Sequence, residues 1–162
     1  MRRWIIGALA AGLVTAPAAA DPRPPDAFFE RVDELVDWIA AHSDYSDEMK
    51  RYPAVVFLPR GTINYMFYEG SAGIAYNGQD RVKALYLEGM MFLSDDFALG
   101  EHDYILLHEL VHHLQFEAKR EFACKAEQER EAYELQIAFV EETGRGEVPN
   151  GLFMVVLRCQ FG

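Results

Sequence analysis

The run Leu106-Leu107-His108-Glu109-Leu110-Val111-His112-His113-Leu114-Gln115 constrains this chain more than any other stretch, because it sets His-Glu-x-x-His inside a helical pattern. Histidines four apart lie roughly 40° apart on a helix and one turn up, so both imidazoles point the same way. That spacing lets two ring nitrogens grip one zinc ion, with the intervening glutamate where it can take a proton from zinc-bound water. Leu106, Leu107, Leu110 and Leu114 project to one side of the helix, and Tyr104, His108, His112 and Gln115 to the other. A leucine face toward a core and a two-histidine face toward something else suits an active-site helix. The plainer alternative is a core helix whose histidines bond carbonyls.

The first twenty residues read as a secretory signal peptide: Arg2 and Arg3, an apolar stretch from Trp4 to Val14, then Ala18-Ala19-Ala20 before Asp21. Residues 21–162 are enough for one domain with a real core and too few for two. The full chain holds 15 basic and 26 acidic residues, a formal charge of −11. Without Arg2 and Arg3 the charge is about −13, which argues against nucleic acid or an anionic membrane as partner. Cys124 and Cys159, an even pair in an exported chain, predict one disulfide; the alternative is two buried thiols.

An N-terminal helix is expected from Asp26 to about Ala41, with Phe28, Phe29, Val32, Leu35, Val36 and Ile39 recurring at three and four. Four short apolar runs follow: 54–58, 72–76, 82–87 and 90–93. Asn77-Gly78 and Gly89 punctuate them, while 62–68 is ambiguous between helical turn and strand. The pattern predicts an α+β fold with a small, mostly antiparallel sheet of about four strands. The sheet would pack on a helix over about 101–118 and a second over about 122–142. The tail from Pro149 to Gln160 is apolar enough for a short buried helix.

A catalytic zinc normally takes three protein ligands. Glu129 lies in the middle of the apolar stripe of the second helix, near Phe122, Ala126, Tyr133, Gln136 and Val140, whereas Glu127, Glu131 and Glu134 lie opposite, on a face that looks solvated. A carboxylate on a buried helix face is costly unless paired or metal-bound, which favours Glu129 as third ligand. A buried ion pair with Arg60 or Arg81 is its alternative. Glu131 is the next candidate ligand, one small phase error away.

His108-Glu109-x-x-His112 with a glutamate on the next helix resembles the gluzincin type of zincin metallopeptidase. Glu129-Arg130-Glu131-Ala132-Tyr133 is similar to the Glu-x-x-Ala-Asp stretch of the membrane-bound CAAX-protease and heat-shock protease group, where the first glutamate binds zinc. The plan also resembles small bacterial exported proteins with this motif. The specific likeness covers about 106–133, and it departs where the aspartate that orients a zinc histidine in those relatives is Tyr133 here.

The resemblance implies a zincin-like fold, zinc as cofactor and a peptide or protein as substrate. Zinc would be held by His108, His112 and Glu129, and its water activated by Glu109. Tyr133 or Tyr104 would help steady the oxyanion, and an extended peptide would pair with 90–93 if that strand lies at the sheet edge. His113 reads as structural, His42 and His102 as exposed polar residues. The expectation is an exported, periplasmic or secreted zinc metallopeptidase. The rival is a non-catalytic zinc-binding or structural protein that keeps the fold.

Overall fold

The helix carrying the His-Glu-x-x-His run is the centre of the molecule. In the computed structural model, which describes residues 26–71, 82–148 and Cys159, it spans Asp103–Ala118 and every residue from Leu106 to Gln115 is buried. It is the third of four α-helices: α1 (Asp26–His42), α2 (Arg60–Tyr65), α3 (Asp103–Ala118) and α4 (Lys125–Thr143). Strands β1 (Ala54–Leu58), β2 (Ala84–Leu87) and β3 (Met90–Ser94) complete the α+β fold, and α2 runs on into a π-helical turn over Met66–Ser71. The ambiguous stretch from Thr62 to Tyr68 is therefore helical.

Burial of α3 on all sides follows from what packs around it. Helix α1 contributes Phe28, Val32, Leu35, Val36 and Ile39, all buried at the spacing of one helix face. Strand β3 contributes Met91 and Leu93, and α4 contributes Ala132, Leu135, Phe139 and Val140. Leu106, Leu107 and Leu110 are wholly inaccessible. Removing a leucine side chain from water is worth about 1.5–3 kcal/mol, so these three positions alone bind α3 firmly to its neighbours. The Asp103 carboxylate, 1% exposed, is paired with Arg31 of α1 and also accepts from the Gly100 amide, fixing the start of the helix.

The sheet differs from expectation. Among the described residues it has three strands in the order β1-β3-β2, with β1 parallel and β2 antiparallel to β3, so it is mixed rather than mostly antiparallel. The run at 72–76 lies outside the described residues, as do the first twenty residues, expected to be a signal peptide, and the tail from Pro149 to Arg158. Ala54 pairs with Met90 and Leu58 with Ser94, which puts β3 in the middle. The edge beside α3 is β2. Glu88 (φ 45°) and Gly89 (φ 90°) turn β2 into β3, the left-handed pair that a two-residue hairpin requires. Buried Asn64 anchors the approach to β2: its Nδ2 donates to the Arg60 and Val82 carbonyls, and its Oδ1 accepts from the Val82 amide.

Both helix starts fall later than the apolar pattern suggests. His102 stands just before α3 and its Nδ1 accepts from the Ala98 amide of the preceding loop at 2.9 Å; it is 5% exposed, contrary to the expected surface position. Cys124 precedes α4 in extended conformation and is bonded to Cys159, with the Cα atoms 5.7 Å apart. Gly144 closes α4 in the left-handed conformation typical of a helix C-terminus. No described helix is long and apolar enough to cross a membrane.

Candidate metal centre

Helix α4 returns antiparallel to α3 across a six-residue turn and brings a carboxylate over the two histidines. His108 Nε2 and His112 Nε2 are 3.2 Å apart, and Glu129 Oε2 stands 3.4 Å from the first and 3.3 Å from the second. These residues form a group that could hold a metal ion. Ligand atoms about 2.0–2.1 Å from a tetrahedral zinc stand roughly 3.3–3.4 Å from one another, so the triangle has the dimensions such an ion needs. Two imidazoles and one carboxylate are also a donor set suited to zinc.

The charges around the triangle are interdependent. Burial by itself would raise the Glu129 carboxyl, but hydrogen bonds and charge interaction with His108 and His112 outweigh it and hold the acid far below the usual carboxylate range. Burial opposes charge on His112, yet Glu129, then Glu109, raise it above the ordinary imidazole value. Glu109 is 7% exposed; desolvation raises its carboxyl, while the two imidazoles and the Tyr86 backbone amide act the other way.

The histidines are oriented by different means. His112 Nδ1 lies 2.8 Å from Gln115 Oε1. The Gln115 amide nitrogen in turn donates to the Gln128 carbonyl and to Glu131 Oε2. Glu131 also accepts from Tyr45 at 2.6 Å and pairs with Arg120 at 2.9 Å. Glu131 is thus neither a metal ligand nor part of a solvated face; it anchors the glutamine that holds His112. His108 is held by packing: the Tyr133 ring lies against it at 4.3 Å between centroids, and His108 Nδ1 is buried with no hydrogen-bond partner among the described residues. Arg60, the alternative partner considered for Glu129, pairs with Asp96 instead.

A cleft of about 800 Å³ opens over the triangle, bounded by β2, α3 and α4. Glu109, Gln115, Tyr133 and the three potential ligands line it. Tyr104 does not: its ring lies against Gly146, and of the two tyrosines only Tyr133 lines the cleft. Burial, then the charges of Glu129 and Glu109, raise the Tyr133 phenol above its ordinary value, which keeps it protonated and able to donate. His113 is fully buried between the Arg51 carbonyl (2.8 Å) and the Tyr86 hydroxyl (3.1 Å), a structural position as its helical phase suggests. His42 stacks on Trp38 at the surface, 3.9 Å between ring centroids, and reaches Glu142.

Fold and site together define an α+β protein with a histidine-histidine-glutamate group able to take a metal, set in a cleft beside a sheet edge. The chain belongs to the DUF6647 family, a domain of unknown function, whose model matches residues 24–156. No curated protein and no solved structure matches it.

Proposed function

We propose that this protein is an exported zinc metallopeptidase that hydrolyses peptide bonds. The observation that carries the proposal is the ligand triangle of His108, His112 and Glu129 with the buried Glu109 carboxylate beside it. A zinc ion held there would supply Lewis acidity, making water more acidic and polarising a carbonyl. Glu109, destabilised as an anion by burial, is suited to accept the proton of the attacking water and to deliver it to the departing amine nitrogen. Tyr133, kept protonated in the cleft wall, is the candidate donor to the carbonyl oxygen as negative charge grows on it.

Substrate alignment falls to β2 rather than to β3, which is central. Residues Ala84–Leu87 line the cleft along the edge strand, and an extended peptide can pair with such an edge in the manner of an added strand. The disulfide supports export to an oxidising compartment.

The test separates enzyme from zinc-binding scaffold. Metal analysis should find one zinc per chain, lost in His112→Ala. A broad peptide library should be cleaved by the wild type and left intact by Glu109→Gln, which keeps its zinc. Zinc binding without cleavage of any library member would replace the peptidase with the non-catalytic zinc-binding protein.

A further inference from the structure

The cleft is far more basic than the chain. Against 26 acidic and 15 basic residues overall, the cleft is lined by four cations, Lys83, Lys119, Arg120 and Lys125, and three acids, Glu88, Glu109 and Glu129. Two of those acids belong to the candidate metal centre itself. Two of the cations are already engaged: Lys83 by Asp96 at 3.3 Å, and Arg120 by Asp44 at 2.7 Å and Glu131 at 2.9 Å. Lys119 and Lys125 have no carboxylate partner among the described residues, and both are exposed. An acidic chain that leaves two ammonium groups unpaired in its cleft wall attracts negative charge to that wall.

The helices fix how far these lysines stand from the chemistry. Lys119 ends α3 in left-handed conformation (φ 52°), seven residues beyond His112, and Lys125 begins α4 four residues before Glu129. At about 1.5 Å of rise per residue they lie roughly 10 Å and 6 Å along their helices from the ligand positions. An extended peptide advances about 3.3 Å per residue, so this distance corresponds to about two or three residues of substrate. The Gly89 turn, at the end of β2, lies against Phe116, one turn before Lys119, so a peptide following the β2 edge would be led toward the lysines.

We propose that the site selects peptides carrying a carboxylate about two or three residues from the bond cut, received by Lys119 and Lys125. The carboxylate can belong to an acidic side chain or to a free C-terminus; the chemistry of recognition is the same. The inference rests on the peptidase reading and names its substrate class.

The experiment uses the zinc-loaded chain on a mixed peptide library, with cleavage positions read by mass spectrometry. Each good substrate is then remade with Glu→Gln or Asp→Asn at the selected position, and separately with a C-terminal amide. The arm that loses activity identifies the source of the carboxylate. The expected loss is about tenfold in kcat/KM, carried by KM, and smaller at high salt, as for two exposed ion pairs. The double variant Lys119→Glu with Lys125→Glu should keep its zinc and shift preference to peptides with lysine at that position. Cleavage with no carboxylate preference, or a preference unchanged in the double variant, overturns this proposal and leaves the peptidase standing. A zinc-loaded chain that cleaves nothing overturns both.

Discussion

Gln115 accepts a hydrogen bond from His112, its Oε1 standing 2.8 Å from the ring Nδ1. The amide can present only its oxygen, because its nitrogen is claimed by two acceptors, the Gln128 carbonyl and the Glu131 carboxylate. Turning the amide over would set oxygen against oxygen at both. Nδ1 must then carry the proton, and in the neutral ring the Nε2 lone pair points at His108 and Glu129, as a metal ligand requires. Gln115→Leu, similar in size but without the acceptor, should lower zinc affinity about 10- to 100-fold while the circular dichroism spectrum stays native. Competition with a chromophoric chelator measures it; an affinity within twofold of wild type would show that packing alone orients the ring.

Glu129 and Glu131 sit two residues apart on α4 and should behave differently. Glu129→Ala removes one corner of the triangle and should abolish stoichiometric zinc binding. Glu131→Ala leaves the triangle intact but removes the anchor of Gln115, along with the partner of Tyr45 and Arg120, and should weaken binding to about the extent of Gln115→Leu. Zinc titration of the two variants side by side decides it, and equal retention in both would remove Glu129 from the ligand set.

Tyr133 packs against the His108 ring, 4.3 Å between centroids. Tyr133→Phe preserves that packing and deletes the hydroxyl. Zinc affinity should be unchanged, and turnover of any peptide found to be cleaved should fall about 10²- to 10³-fold, in kcat rather than KM. A variant with full turnover would leave the phenol without a part in the reaction.

How far the sequence reaches can be seen at these same residues. The three-and-four spacing of apolar residues located α1, and the phase of α4 put Glu129 toward the two histidines of α3, because both depend on nothing but helical geometry. Glu131 looked solvated because its partners, Tyr45 and Arg120, come from the α1–β1 loop and the α3–α4 turn, and helical phase is blind to both. Gln115 was legible as a member of the histidine face, but its grip on His112 was not. The parallel pairing of β1 with β3 joins segments 36 residues apart in register and leaves no local mark in either strand. His102 is polar and next to a glutamate, yet it is buried because its ring folds back on the loop before α3, where Nδ1 accepts from the Ala98 amide and the ring packs near Phe97.

That burial has a pH signature. Desolvation, helped by the nearby Lys83, lowers the His102 pKa from its ordinary 6.5, so the folded chain prefers the neutral ring. Below pH 6.5 the unfolded chain gains a proton that the folded chain resists, and stability falls with falling pH until the folded-state pKa is passed; above 6.5 this contribution is complete. Urea unfolding of the metal-free chain from pH 7.5 downward should show the loss, and His102→Asn should flatten the part of the curve that begins near 6.5. A slope unaltered in the variant would assign the acid sensitivity to other groups.

The Cys124–Cys159 bond closes a loop with a sequence separation of 35 and pins the residue from which α4 sets out toward Glu129. In the chain-entropy account a loop of that length stabilises the fold by about 4 kcal/mol, because the reduced unfolded chain has more conformations to gain. Reduction, or Cys159→Ser, should therefore lower the urea midpoint sharply. Zinc affinity in the reduced, still folded chain should change much less, since the ligand triangle is built from α3 and from α4 beyond its first turn. Unfolding curves and zinc titrations with and without reductant separate the two effects. A large loss of zinc affinity at undiminished stability would mean that the bond acts on the position of Glu129 rather than on the unfolded state.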